Sequence, residues 1–457
     1  MLGRLKRVHF VGVGGVGMSG IALVLRNLGF EVSGSDLAES ETTHRLAAAG
    51  VRVAIGHAAE NSRDAEVVVF SSAVASVNPE LAEARARGIP VIRRAEMLAE
   101  LMRMKFAVGV SGSHGKTTVT SLVGHLLERG GLDPTTVIGG RVVGTDAGAR
   151  LGQSEYLVAE ADESDRSFLL LYPAVAVVTN IEPEHLDIYR DLADIKRTFV
   201  RFLNRVPFYG SVVMCLDSPA VRAIRPRVKR RVVSYGLDHP ADYRARDIQL
   251  YGLSSAFTLE HRGREQGRFS LGMPGRHNVQ NALAAIAVGA ELGIELRTME
   301  VALATFAGVH RRLEKIGERS GVTVFDDYGH HPTEVRVTIE ALRQAYPDAR
   351  LIAVFQPHRY TRTKLLAREF GKAFDGADVL AVTRVYAASE PEIAGVDEGL
   401  IVDAVKRRGK KKLETRHVPE LDDVPGFIKD AARPGDVVLL LGAGSICRIG
   451  EKVLSAL

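Results

Sequence analysis

The sequence predicts a multidomain α/β protein built on doubly wound parallel sheets. Short β-rich runs alternate with helical stretches over most of the chain, and two glycine-rich loops each follow an apolar run and open a helix. The chain has 457 residues, which at roughly 150 residues per domain corresponds to about three domains and not one core.

From residue 8 to about residue 104, the runs VHFVGV, FEVSGSD and EVVVFSSAV alternate with the helical stretches GMSGIALVLRNL and NPELAEARARG, the pattern of an N-terminal Rossmann-like doubly wound sheet. A second unit opens at Lys105 with KFAVGVS, the loop GSHGKTT and a helix closed by Gly130 and Gly131. Its strands YLVAEAD and AVAVVTN end in polar residues, as ligand-bearing strands of such sheets do. Between residues 211 and 273 the segments SVVMCLD, RRVVSYG, ARDIQLYG and SAFTLEHRGREQGRFSL carry turn signals that suit antiparallel β. Helices are expected near 279–292 and 298–306. The last unit alternates again (VTVFDDYG, LIAVFQPH, DVLAVT, DVVLLLGAGS), which predicts a C-terminal Rossmann-like α/β domain. The expected domains are 1–104, 105–310 and 311–457, the central one being P-loop ATPase-type α/β with an antiparallel β subregion.

Composition narrows the functional classes. The chain is 46% hydrophobic and 25% charged, inside the ordinary globular range, so disordered, collagen-like and coiled-coil classes fall away. A net charge of +5 suits anionic ligands at local sites and not a surface that coats nucleic acid. The basic runs RPRVKRR (225–231) and KRRGKKK (406–412) are taken as solvated loops or helix ends. Two cysteines, Cys215 and Cys447, make neither a disulfide framework nor a four-ligand zinc site, which suggests a reducing, cytoplasmic setting. Residues 8–25 carry no Asp, Glu, Lys or Arg and follow Arg4, Lys6 and Arg7, like a signal sequence or anchor. Five glycines from Gly12 to Gly20 divide the stretch instead into strand, turn and helix. No other segment approaches the ~20 apolar residues of a spanning helix.

The first loop fits G-x-G-x-x-G at Gly12, Gly14 and Gly17, with Asp36 closing the second strand. Alone it suggests a nicotinamide-dependent dehydrogenase, but its physics is broader. Glycines let backbone N–H groups and a helix N-terminus approach any pyrophosphate. Ser71 and Ser72, closing a later strand, add candidate hydroxyl donors. The second loop, Gly112-Ser113-His114-Gly115-Lys116-Thr117-Thr118, carries G-K-T, although the full phosphate-loop pattern needs Gly where Val110 stands. The chemistry is still present: glycine-turn N–H groups for phosphate oxygens, Lys116 for the β and γ phosphates, and the Thr117 hydroxyl for magnesium. Glu160 closes YLVAEAD and His185 follows AVAVVTN, so both are candidate neighbours of that metal.

With both loops in one chain, further motifs become specific. GVGGVGMSG (12–20), GSHGKTT (112–118), EADESD (160–165), NIEPEHLD (180–187), PGRHNVQNALAA (274–285), GVHRRLE (308–314), DDYGHHPTE (326–334) and QPHRYTRT (356–363) resemble, nearly end to end and in order, the Mur ligase family. The resemblance implies an ATP-dependent ligase that joins L-alanine to the lactyl carboxylate of UDP-N-acetylmuramate through an acyl phosphate, in the cytoplasm, as a monomer or homodimer, with no nucleic-acid or membrane partner. It implies ATP and Mg2+ (Mn2+ as substitute), with Lys116 on the phosphates and Thr117, Glu160 and His185 around the metal. Asn278 and Asn281 would meet adenosine, while Arg312 and Asp327 would complete the ATP site. Gly14, Gly15, Val16, Gly17, Met18, Ser19, Ser35, Asp36, Ser71 and Ser72 would hold the UDP-sugar. Tyr328, His330, Arg359 and Arg362 would line the amino-acid and sugar-carboxylate end, with His330 the candidate general base. His330 or His331 could instead be a hydrogen-bonding residue before Pro332 opens a helix.

One departure is visible: the family's last glycine loop usually reads GAGDI, and here Ser445 replaces the Asp. Closure over the substrates is expected, with hinges near Met104 and Arg312, to keep water from the acyl phosphate. Three other classes compete. A dehydrogenase leaves Lys116, Glu160 and His185 without work. A nucleotide sensor has no need of the third-domain His and Arg cluster. A recycling ligase that attaches a peptide to the same sugar nucleotide is the rival within the family.

Overall fold

A computed structural model describes residues 5–71, 73–138, 149–388, 390–408 and 413–457. Ser72 and the part of the second basic run at 409–412 therefore lie outside the described residues. The architecture is three-domain α/β, with one sheet in each domain.

In the first sheet, β1 (Arg7–Val11), β2 (Glu31–Asp36), β3 (Arg52–Ile55), β4 (Val67–Phe70) and β5 (Val91–Arg93) take the order β3-β2-β1-β4-β5, and every pairing is parallel. The order reverses at β1, and the glycine loop follows β1, so the loop sits at the switch point where such sheets bind ligands. The apolar stretch from residue 8 resolves as expected into β1, the loop and the helix Val16–Asn27. Among the described residues no helix is long and apolar enough to cross a membrane.

The second sheet comprises β6 (Phe106–Ser111), β7 (Thr135–Val137), β8 (Ala149–Arg150), β9 (Tyr156–Glu160), β10 (Val175–Val178), β11 (Ser211–Cys215), β12 (Arg231–Gly236), β13 (Tyr243–Tyr251), β14 (Ser254–His261) and β15 (Arg264–Leu271). Its order is β15-β14-β13-β12-β11-β10-β6-β9-β7-β8. The centre is parallel, while β13, β14 and β15 are neighbours joined by tight turns at Gly252 and Gly263, both at positive φ, and so run antiparallel. Helices Arg276–Glu291 and Leu296–Ala304 lie within a few residues of their expected places.

The third sheet takes β16 (Glu314–Arg319), β17 (Val322–Asp327), β18 (Leu351–Phe355), β19 (Val379–Val382), β20 (Glu414–His417) and β21 (Val437–Leu441) in the order β16-β17-β21-β18-β19-β20. Only β16 pairs antiparallel. Both edge strands, β16 and β20, escape sequence reading because EKIGER and ETRH are polar. An edge strand needs no apolar alternation on its solvent side.

By contacts the chain forms two compact units, one of residues 1–247, 257–270 and 279–307 and the other of 248–256, 271–278 and 308–457. The expected division at 104 falls inside the first unit. A continuous apolar core there runs from Val8 and Phe10 through Leu101 to Val178 and Phe199, with Met104 packed against it. A hinge at Met104 would have to open that core. The expected division near 311 lies next to the observed break at 307/308.

Candidate functional site

The second glycine loop is shaped by contacts that leave no space for side chains. Gly112 has φ +136°, and a Cβ there would lie 2.0 Å from Thr179 Oγ1. Gly115 has φ +82°, and its Cβ would lie 2.8 Å from Asn281 Oδ1. Thr179 and Asn180, just past β10, brace the loop. The His114 N–H donates to Asn180 Oδ1 at 2.8 Å, Ser113 N–H donates to the Asn180 carbonyl at 3.1 Å, and Thr179 Oγ1 donates to the His114 carbonyl at 2.6 Å. The helix Lys116–Arg129 starts immediately, placing Lys116, Thr117 and Thr118 in its first turn, where unpaired N–H groups favour anions.

Lys116 Nζ donates to the carbonyls of Gly112 (2.6 Å) and Ser113 (3.3 Å) and to Glu163 Oε1 (2.9 Å). Burial works against this ammonium, but the negative charges of Glu163, Asp162 and Glu184 outweigh it and hold the pKa above lysine's ordinary value. The Glu163 carboxyl is itself lifted by burial, against the pull of Lys116, to about 7. His185, at φ +54°, presents Nε2 3.8 Å from Glu163 and 3.9 Å from Glu184. Glu163, Glu184 and His185 offer ligand atoms within 4.8 Å of one another.

A divalent cation suits this place: the donors are hard carboxylate oxygens with one imidazole, and the buried Glu163 Oε2 has no hydrogen-bond partner. Glu160 ends β9, whose neighbour β6 leads into the loop through the register pair Val110 and Glu160. The structure thus gathers His185 with Glu163 and Glu184, two acids that sequence reading passed over. Their signal was present in EADESD and NIEPEHLD, but the density of acids there also fits a helix N-terminus. Asn281 lies beside the loop, against Gly115. The Asn278 amide donates to the Pro274 carbonyl at 2.8 Å, so that side chain also serves its own turn.

The first loop is built differently. Gly12 (φ +80°) and Val13 both donate their N–H to the Ser35 carbonyl at 2.9 Å. Asp36 accepts the Gly14 N–H on Oδ2 and the Leu37 N–H on Oδ1, both at 2.8 Å. Asp36 is therefore a brace of the loop in addition to any ligand role. A Cβ at Gly14 would lie 2.9 Å from Asp36 Oδ2, and one at Gly17 would lie 2.7 Å from Arg94 Nη1. Gly15 has more room. Met18 and Ser19 are buried, Val16 opens the helix, and Ser71 lies 3.5 Å from the Cβ position of Gly12. Beneath, the buried Glu80 carboxylate accepts from Ser35 Oγ (2.8 Å) and pairs with His9 (2.6 Å) and His57 (2.9 Å). In the sequence Glu80 looks like an ordinary acid in a helix's first turn.

In the other unit Asp327 ends β17 and accepts the N–H of Gly329 (2.7 Å) and Leu313 (2.8 Å). Burial, opposed by Arg312, lifts its pKa to about 6. Arg312 lies over the Tyr328 ring, 5.3 Å from its centroid. His331, not His330, caps the helix Pro332–Ala345, accepting the Thr333 N–H at 3.3 Å. His330 Nδ1 lies 3.1 Å from the Tyr328 carbonyl. A carbonyl only accepts, so Nδ1 is the donor in that contact. Arg362 Nη1 donates to His358 Nδ1 at 3.1 Å, and burial together with His330, Arg362 and Arg359 pushes His358 down to about 3, keeping it a neutral acceptor. Arg359, at φ +70°, lies 3.7 Å from Glu390. Ser445, at the departure from GAGDI, accepts from Gln356 Nε2 at 3.2 Å.

Comparison with known proteins gives the family. Residues 7–106 match the model described as Mur ligase family, catalytic domain, residues 110–289 the Mur ligase middle domain, and residues 311–444 the Mur ligase, glutamate ligase domain. The chain is 55% identical over 446 residues to UDP-N-acetylmuramate–L-alanine ligase of Sorangium cellulosum, covering 97% of this chain and 95% of that one. Its structure resembles UDP-N-acetylmuramate-alanine ligase from Thermotoga maritima, with TM-score 0.82, 29% identity and 99% of each chain covered. It also resembles a murein peptide ligase from Psychrobacter arcticus, with TM-score 0.72, 25% identity and coverage of 99% and 98%.

Proposed function

The chain belongs to the Mur ligase family, and from that premise we propose that it joins L-alanine to the lactyl carboxylate of UDP-N-acetylmuramate, converting ATP to ADP and phosphate in peptidoglycan precursor synthesis. The observation that carries this is the Lys116 ammonium at a glycine-built helix N-terminus, facing the carboxylates of Asp162, Glu163 and Glu184, with His185 beside Glu163 and Glu184. That arrangement suits a triphosphate and its cation. The name of the 55% identical relative supports the particular acid and amine.

A carboxylate is a poor electrophile, so amide formation needs a leaving group, which phosphoryl transfer from ATP to the lactyl carboxylate supplies. ATP carries about four negative charges and the UDP-sugar about three, and two unit charges ~4 Å apart repel by about 4 kcal/mol at an effective dielectric of 20. Thr117, Glu160 and His185 would hold Mg2+, with Glu163 and Glu184 adjoining, and the bound cation would neutralise and orient the phosphates. Lys116 and Arg312 bind the phosphates, and their stabilisation grows as charge spreads over the transferring group. Asn278 and Asn281 hold adenosine. The first loop, with Ser35, Asp36 and Ser71, seats the pyrophosphate of the sugar nucleotide. Arg359 and Arg362 orient the carboxylate end beside Tyr328. His330 accepts the amine proton as general base.

Phosphate release assayed with ATP, UDP-N-acetylmuramate and L-alanine singly and together tests the proposal. Release should require all three. Release with L-alanyl-peptide but not with L-alanine would instead assign the peptide-recycling reaction.

A further inference from the structure

Three carboxylates surround one ammonium beside the second loop, and one of them touches it. All three Lys116 donors are engaged, two by the loop's own carbonyls and one by Glu163. The carbonyls of Gly112 and Ser113 travel with the loop. Glu163 does not, because its backbone carbonyl accepts from Tyr189 Oη at 2.6 Å and from the Arg166 N–H at 3.0 Å, which anchors it to the segment after β9. The Glu163 side chain is 3% exposed, and its Oε2 has no hydrogen-bond partner. A buried carboxylate left half unsatisfied costs stability, so this one calls for a role that packing does not supply.

We propose that Glu163 is a positioning residue for Lys116 that competes with nucleotide phosphate for the same ammonium. This rests on the nucleotide site proposed above and deepens it. A phosphate that draws Lys116 away must replace a charge-assisted hydrogen bond and leave a buried carboxylate uncompensated. Nucleotide binding without a divalent cation is thereby disfavoured. When product departs, Lys116 returns to a fixed, charged partner. No covalent step is involved.

The test measures ADP binding calorimetrically to the full-length chain, with excess Mg2+ and separately in EDTA. Glu163→Gln keeps the shape of the side chain and removes its charge. It should tighten ADP binding in EDTA by about tenfold, roughly the loss of one charge-assisted contact as a competitor, and narrow the gap between the EDTA and Mg2+ affinities. Glu163→Asp, whose shorter carboxylate reaches Lys116 less well, should move affinity the same way by a smaller factor and guards against a poorly folding glutamine variant. In a Lys116→Met background the gain from Glu163→Gln should shrink severalfold, since the contested ammonium is gone. A folded Glu163→Gln chain with unchanged or weaker ADP binding in EDTA overturns the proposal, as does a gain that persists in full without Lys116. If the wild-type chain binds neither ADP nor ATP with Mg2+ present, the nucleotide site itself is wrong. Normal wild-type binding with no response at residue 163 overturns only the role of Glu163.

Discussion

The two glycine loops share one build, a parallel strand followed by glycines and a helix N-terminus, yet they differ in what stands beside the glycines. Beside the first is a carboxylate, Asp36, that accepts the Gly14 N–H. Beside the second is an ammonium, Lys116, held among carboxylates and loop carbonyls. The glycine pattern therefore specifies close backbone approach, and under the proposed function the neighbouring charge would select the load: a pyrophosphate seated on N–H groups in one case, a reacting triphosphate with its cation in the other. This is why G-x-G-x-x-G alone pointed to a dehydrogenase and misled.

The largest effect that sharpens the contrast is at Lys116. Lys116→Ala should lower phosphate release by about a thousandfold or more with an unchanged far-UV circular dichroism spectrum. Retention of more than a tenth of the activity would put the two loops on an equal footing.

A pH profile comes next, because the third sheet repeats the carboxylate brace of the first loop. Asp327 clamps two N–H groups as Asp36 does, but burial has lifted it to about 6. The ionised form makes the clamp, so kcat/KM should fall as pH drops through about 6, and Asp327→Asn should remove that limb. Stability runs the other way. A carboxyl whose folded pKa is raised favours the folded state when protonated, so its contribution is present below the ordinary carboxylate range and is lost as pH rises from about 4 to about 6. Urea titrations at pH 4.5 and 7, compared between wild type and Asp327→Asn, measure that difference.

Glycine substitutions separate the loops by strain. Gly112→Ala meets Thr179 Oγ1 at 2.0 Å with φ +136° and should cost about 2 kcal/mol or more. Gly12→Ala, with its nearest neighbour at 3.4 Å, should cost about 1 kcal/mol from its positive φ alone. Equal losses in chemical denaturation would remove the distinction.

The smallest effect is expected at Asp36. Asp36→Asn keeps one acceptor oxygen for the backbone, so the KM for the sugar nucleotide should rise severalfold while that for ATP is unchanged, in keeping with about 1 kcal/mol for one hydrogen bond.

The parallel centres of all three sheets were legible because their strands are continuous apolar runs ending at glycine or polar residues. The polar edges β16 and β20 were not, since one-sided burial leaves little periodicity to see. At the candidate site, the strand–loop–helix that carries Lys116 and its glycines was legible, because a tight turn with positive φ restricts which residues fit there. Glu163, Glu80 and Asn180 were hidden for the opposite reason: their work depends on partners 47, 71 and 66 positions away in the chain, and a lone acid or amide carries no trace of such a partner. His331 and His330 were adjacent letters with interchangeable roles until the helix Pro332–Ala345 selected the first as its cap.

Activation of the lactyl carboxylate by a triphosphate held at Lys116 predicts that an oxygen of that carboxylate passes to phosphate. UDP-N-acetylmuramate labelled with 18O in that carboxylate, turned over with ATP and L-alanine, should yield inorganic phosphate carrying one 18O atom per amide formed. Unlabelled phosphate accompanying amide formation would exclude an acyl phosphate on the path.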